Sequence, residues 1–535
     1  MYKGKLIIRF DDTNPTKERT EFEETILEDL RLLDIHGDQI THTSDYFDTL
    51  HELAIKMIKL GKAYTDDTEQ ERMRQERFDG IASAHRDDSV EDNLKHFEEM
   101  TKGTEAGVRW CLRAKISVDN PNKAMRDPVI YRCNLLPHHR TGDKWKVYPI
   151  YDFACPVVDS IEGVTHALRT NEYRDRNPQY QWMFEALGLR PVHVWDFSRL
   201  NFIYTLLSKR KLHWFVDKGI VSGWDDPRFP TVRGIRRRGL TVEAITQYML
   251  LQGPSQSMVH MEWDGIWALN KKIIDPIAPR HWALLKENLV PVTIKGGPAA
   301  PEVKSVPKHK KNAEIGDKKT VYSSTIFLEQ EDAASFDDQE EVTLMDWGNA
   351  IVRSKQTDES GRIVSIEMDL NLEGDFRKTK KKITWLGQPT AEHKLVDVVL
   401  LDYDYLITKK KLEENDDVAD FVTPVSEFRE EALADANVRD LKKSDIMQFE
   451  RKGYFVFDGE KDGKLEFIRI PDGKAATLAS KADLAAAASV VEKKAPASQA
   501  TGWESPMYKV DNIYGADVKP TVDTKMYTVD SLYQS

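Results

Sequence analysis

This chain has little cysteine, no long apolar run and no basic excess. Only three of its 535 residues are cysteine, at 111, 133 and 155. Evenly spaced and few, they offer neither a disulfide framework nor a Cys-x-x-Cys metal pair, and they read as reduced thiols. No stretch approaches the ~20 apolar residues needed to span a bilayer. The amino terminus, Met1-Tyr-Lys-Gly-Lys-Leu-Ile-Ile-Arg-Phe-Asp-Asp12, meets acidic residues too early for a secretory signal. These absences argue against secreted and membrane-bound classes and predict a cytoplasmic protein. The net charge of −12 at first argues against a nucleic-acid partner.

Distribution matters more than the sum. Basic clusters recur at Arg233–Arg238, Lys304–Lys311, Arg377–Lys382 and Lys409–Lys411. One such cluster alone is a solvated face. Four of them fit the phosphates of a long, bent polynucleotide. With 40% apolar and 31% charged residues, a chain this long predicts three or four domains.

Along the chain, Lys5–Phe10 is a compact apolar run. Residues 16–33 then switch to helical spacing through Phe22, Ile26, Leu30 and Leu33, so a strand is followed by a helix with Asp11, Asp12 and Asn14 in the turn. A more polar part follows, with a helical start and looser alternation over Val108–Ile116. Three elements then share one rhythm, an apolar strand ending in polar or charged residues: Tyr148–Pro156, Glu162–Glu172 and Phe197–Leu212. This pattern predicts ligand groups at the carboxyl ends of parallel strands. Asn177-Pro178 predicts an N-capped helix between the last two. The pattern is helical again from about 204 to 290. Short apolar runs near 342, 362, 381 and 394, separated by turn residues, predict β-barrels. The Ala/Lys-rich end predicts disorder.

Leu206-Leu-Ser-Lys-Arg210 resembles the KMSKS loop of class I aminoacyl-tRNA synthetases, in the form used by the glutaminyl and eukaryotic or archaeal-type glutamyl subgroup. Arg9-Phe-Asp-Asp-Thr-Asn-Pro15, Glu162-Gly-Val-Thr-His166 and Ser198-Arg-Leu-Asn201 follow the same family in order, and the resemblance runs to roughly Asp472. It implies an α/β plus β fold. An incomplete Rossmann-like, doubly wound catalytic domain carries an acceptor-stem insertion, a helical connector and two carboxy-terminal β-barrels. The expected divisions are 1–45 and 148–203 for the two catalytic halves, 46–147 for the insertion, 204–274 for the KMSKS-like loop and helical part, 275–473 for the anticodon-binding barrels, and 474–535 for the tail. The family's His-Ile-Gly-His tetrapeptide is absent, and Ile35-His-Gly-Asp38 has a different order. The chain is therefore expected to start beyond the strand bearing that motif. It would then be inactive as written; the alternative readings are a glutamine–tRNA ligase and a non-catalytic tRNA-binding fragment.

The implied chemistry joins L-glutamate to tRNA(Glu) through a glutamyl-adenylate, using ATP with Mg2+ and no structural metal held by protein. Multisynthetase partners through an upstream region are compatible with it. Asp11 matches the residue holding the substrate ammonium, and Tyr151 the tyrosine closing the amino-acid pocket. Thr170, Arg199, Leu200, Leu207, Ser208 and Lys209 match positions around ATP, with Ser208 and Lys209 acting on its phosphates. Asp175 matches a contact to the acceptor stem, with an ordinary surface aspartate as its alternative. Arg169 separates glutamate from glutamine, since the family's glutamine enzymes usually carry a small cysteine there. A γ-carboxylate entering a dry pocket needs a counter-charge, which a guanidinium supplies through two hydrogen bonds.

Overall fold

The computed structural model describes residues 3–16 and 20–474, so all of the predicted tail but Lys474 lies outside the described residues. The apolar run forms β1 (Ile7–Phe10), and the helical spacing forms α1 (Thr20–Leu32). A crossover returns the chain to β2 (Gln39–His42), parallel to β1 with Ile7 opposite Gln39 and Phe10 opposite His42. The apolar stripe on α1 stays partly open, with Phe22 and Ile26 43% and 47% exposed.

An α+β layer comes next. Helix α2 (Phe47–Lys59) buries Leu50, Ala54, Met57 and Ile58, one face at helical spacing. Strands β3 (Ala63–Asp66), β4 (Cys111–Ala114), β5 (Val129–Cys133) and β6 (Val147–Pro149) form one antiparallel sheet in chain order. Helices α3 (Gln70–Asp79) and α4 (Val90–Lys102) lie between β3 and β4. The expected Val108–Ile116 run is a strand only from Cys111 to Ala114, because the chain before it is a short 3-10 turn pressed onto α4. A Cβ on Gly107 would come within 2.1 Å of the Glu99 carbonyl oxygen, so that approach requires glycine.

The strand reading of Tyr148–Pro156 is corrected. Its strand ends at Pro149 and pairs antiparallel with β5, and Tyr151–Ile161 is helix α5 with Pro156 inside it. Phe153, Ala154, Val157 and Val158 are fully buried at helical spacing, so core contact outweighs the proline penalty. Beyond α5, β7 (His166–Thr170), α6 (Asn177–Leu187) and β8 (His193–Phe197) form a second strand–helix–strand unit with a parallel pair. Arg9 on β1 ion-pairs with Asp159 and Glu162 at the end of α5, tying the first unit to this one.

β9 (Leu200–Phe202) pairs in parallel with β10 (Val259–Met261) around α7 (Lys209–Asp217), α8 (Val232–Arg237) and α9 (Val242–Gln252), and α10 (Asp264–Ile274) follows. Between α8 and α9, Gly239 has φ +89°, and a Cβ there would lie 2.6 Å from Ile470. The helices therefore sit directly on the carboxy-terminal β structure.

That β structure is two seven-stranded sheets and a two-stranded antiparallel ribbon of Glu302–Pro307 with Asp317–Tyr322. In one, the outermost strands are Arg280–His281 and Ala283–Leu285, separated by Trp282 alone; in the other they are Lys382–Ile383 and Leu386–Gly387, separated by two residues. A sheet whose two edges are joined by so short a connection must curl on itself, since each residue spans at most about 3.6 Å. Both sheets are thus barrel-like: Val292, Val352, Met368 and Trp385 fill the one whose edges meet at residues 382–387, the first barrel, and Val398, Phe449, Phe455 and Phe467 fill the one whose edges meet at Trp282, the second barrel. Among the described residues, no helix is long and apolar enough to cross a membrane.

Candidate functional site

The sheet ends bring Tyr151, Arg169 and Thr170 together. Arg169 lies on β7 one residue before its carboxyl end, half-buried, with its guanidinium 4.8 Å from the centre of the Tyr180 ring. Its Nη2 donates to Asn177 Oδ1 at 2.6 Å, and Asn177 Nδ2 donates to Asp196 Oδ2 at 2.6 Å. Asn177 is the first residue of α6, and its side chain bridges Arg169 and Asp196 where the sequence predicts a helix cap. No ion pair to Arg169 occurs among the described residues, and its Nε is buried without a hydrogen-bond partner. Burial disfavours the charge, but Tyr151 and Cys155 outweigh it and hold the Arg169 pKa above its ordinary value. The guanidinium therefore stays charged, aimed by Asn177 and with no carboxylate in direct contact among the described residues.

Tyr151 opens α5 and packs edge-on against Tyr173, with ring centres 5.5 Å apart. Burial and then the neighbouring Cys155 push its pKa up, which keeps the phenol neutral. Cys155 is buried in the same helix, and burial next to Asp159 raises its thiol to about 12, so it acts as a small neutral surface. Tyr180 donates to Asp159 Oδ2 at 2.6 Å, while the other oxygen of Asp159 takes Arg9. A continuous polar chain thus runs from Arg9 through Asp159 and Tyr180 to the face of Arg169.

Sequence reading missed the supporting members Arg9, Asp159, Tyr180 and Asp196. A usable signal existed: Asp159 interrupts the apolar Phe153–Ile161 stretch, and a carboxylate there demands a cation. Of the acidic pair after β1, Asp11 is exposed, whereas Asp12 is 1% exposed.

The residues expected around ATP divide into two groups. Thr170 Oγ1 and Arg199 Nη2 both donate to Glu172, at 3.3 and 2.7 Å, and Leu200 begins β9 beside them. Leu207, Ser208 and Lys209 are exposed; Ser208 caps α7 without a side-chain hydrogen bond, and Lys209 Nζ rests 5.3 Å over the Phe22 ring of α1. Lys209 thus faces α1 rather than the Thr170–Arg199 group. Asp175 is exposed and anchored through its carbonyl, which accepts from Asn122 Nδ2 at 2.6 Å.

The Arg233–Arg238 cluster is a clamp, contrary to its reading as a phosphate-binding surface. Arg233 pairs with Glu28 and Asp29 of α1, Arg237 with Asp225 and with Asp458 of a barrel, and Arg238 Nη2 donates to the Tyr403 carbonyl. Two of its four arginines are ion-paired within the fold, and Arg236 and Arg238 donate to backbone carbonyls.

The family described as tRNA synthetases class I (E and Q), catalytic domain, matches residues 1–276, and the anti-codon binding domains of the same class match 278–371 and 382–458. Similar relatives are the probable glutamate–tRNA ligase, cytoplasmic, of Schizosaccharomyces pombe, 59% identical over 474 residues, and the glutamate–tRNA ligases, cytoplasmic, of Saccharomyces cerevisiae (58% over 478) and Arabidopsis thaliana (53% over 478). These alignments cover 88%, 88% and 89% of this chain, which spans 66% of the length of each relative. With the catalytic-domain match alone covering more than half of the 535 residues, the chain belongs to the class I glutamyl/glutaminyl tRNA synthetases.

Proposed function

We propose that this chain acts in the ligation of L-glutamate to tRNA(Glu) in the cytoplasm, the activity and place that the names of its relatives give for them, and that the step runs through a glutamyl-adenylate. The observation that carries the reading is Arg169. A half-buried guanidinium with no carboxylate partner among the described residues is costly unless a ligand supplies one. A γ-carboxylate does so, whereas a carboxamide leaves the charge uncompensated, which separates glutamate from glutamine. Tyr151 closes the same pocket, and Asp11 beyond β1 receives the ammonium group. ATP, with Mg2+ on its phosphates, takes the strand ends at Thr170, Arg199 and Leu200, and the Leu207–Lys209 loop, which lies against α1 in this structure, closes over the phosphates on binding. The acceptor stem passes Asp175, and the barrels hold the anticodon arm.

The step needs little covalent help. Positioning the glutamate carboxylate in line with the α-phosphorus, and neutralising charge on the phosphates, supply most of the rate. Charging of tRNA(Glu) with labelled glutamate and glutamine, by wild type and Arg169→Cys, tests the assignment. The variant should lose roughly 100-fold or more in kcat/KM for glutamate, the scale of an uncompensated buried charge. Equal glutamate charging by both proteins would overturn it.

A further inference from the structure

A second group of titratable side chains, with Asp12 buried and Glu23 and His139 half-buried, includes the neighbour of Asp11 in the chain and lies outside the pocket of Tyr151 and Arg169. Asp12, Glu23 and His139 each bring a ligand-type atom to within 4.8 Å of the others. They come from three separate segments: the turn after β1, helix α1, and the loop before β6. His139 Nε2 lies 2.8 Å from Glu23 Oε1, and His42 Nε2 lies 3.0 Å from Glu23 Oε2. Asp12 Oδ1 accepts the Ser44 N–H at 2.8 Å, but its Oδ2 is buried with no hydrogen-bond partner, as is Nδ1 of His139. A carboxylate oxygen removed from water and left unbonded is expensive, and its nearest cationic groups, His138 and Arg140, stand at 3.7 and 3.8 Å.

We propose that Asp12, Glu23 and His139 bind one zinc-class divalent ion, with His42 orienting the second oxygen of Glu23. One imidazole and two carboxylates suit zinc, whose ligands stand about 2.0–2.2 Å from the ion, leaving ligand atoms about 3.4 Å apart in a tetrahedron. The widest separation here closes by little more than 1 Å to meet that spacing, and the 2.8 Å His139–Glu23 pair opens slightly. The backbone carbonyl of Asp12, held 2.6 Å from His138 Nε2, fixes the turn that presents the carboxylate. The fourth position is left for water. Such an ion fastens α1 to the turn that carries Asp11.

The test is metal uptake by the full chain after dialysis against a chelator. Zinc content, thermal unfolding with and without zinc, and the visible spectrum with cobalt are measured for wild type, Glu23→Gln, His139→Asn and the control His166→Asn, an exposed histidine beside His193. One zinc per chain is expected, with a rise in Tm. Cobalt should show no thiolate charge-transfer band, and affinity should fall by about 100-fold or more in the first two variants alone. No uptake by wild type, equal uptake by all four proteins, or a cobalt–thiolate band from the cysteines would overturn the proposal.

Discussion

Arg169 shows how a single side chain is tuned by its surroundings. Asn177 holds one guanidinium nitrogen at 2.6 Å and is itself held by Asp196, so the charge is aimed without being neutralised. Asn177→Ala removes that aim. It should raise KM for glutamate about 10-fold while changing kcat less, the scale of one hydrogen bond to a charged group; steady-state kinetics at saturating ATP and tRNA check this. Lys209 calls for the opposite split. If its ammonium acts on charge developing at the phosphates, Lys209→Ala lowers kcat for adenylate formation by about 100-fold and weakens ATP binding much less. Pyrophosphate exchange beside equilibrium ATP binding reads both, and a matched loss would make Lys209 an ordinary ATP ligand. Arg169 and Lys209 were legible in the sequence because each sits in a short motif. Arg9 and Asp159 were not, because their partnership spans 150 residues and exists only after α5 docks on β1.

At the scale of elements, periodicity read well wherever one face is buried and poorly where a residue type misled. Pro156 and the aromatic start made α5 look like a strand, yet its buried positions repeat with helical spacing. The barrel strands showed as short apolar runs, but their partners could not be read, since pairing joins Val292 to Ile366 across the chain. One joint near the second barrel gives a pH prediction. Asp435 accepts hydrogen bonds from the N–H groups of Trp282 and Asn437 and faces His281 and Lys318. Burial alone would raise its pKa; these partners reverse that and depress it well below the ordinary 3.8. A depressed carboxylate stabilises fully above its unfolded value and loses that contribution as pH falls through the folded one. Thermal unfolding from pH 7 to 3 should therefore show a decline below about pH 4 that Asp435→Asn reduces. The variant should also lose about 3 kcal/mol at neutral pH, as when one partner of a buried pair is removed. An unchanged acid limb would remove Asp435 from that role.

For the whole molecule, the question is which of the basic clusters meet a polynucleotide. Lys378 and Lys380 are exposed on the first barrel, whereas Arg237 is spent on Asp458 and Asp225. Binding of tRNA(Glu) to the full chain should weaken as salt rises. The double change Lys378→Ala, Lys380→Ala should flatten the log K against log salt slope by up to about 0.9 for each phosphate that the variant no longer neutralises. Arg237→Ala should leave that slope unchanged and lower Tm instead, because it opens the joint between the helices and the second barrel. A flatter slope for Arg237→Ala would reverse the assignment. The sequence by itself determined the family, the α/β plus β class, the candidate pocket residues and the order of the parts. These are properties of residue type and local spacing, which a chain carries whether or not it is folded. Only the tertiary structure decided which arginines are clamps and which are free to meet a ligand. It also put Asp12 beside Glu23 and His139, and curled each seven-stranded sheet so that its two edge strands are joined by one or two residues. Those outcomes depend on which distant segments share one buried volume, where every charge must find a partner or stay in water.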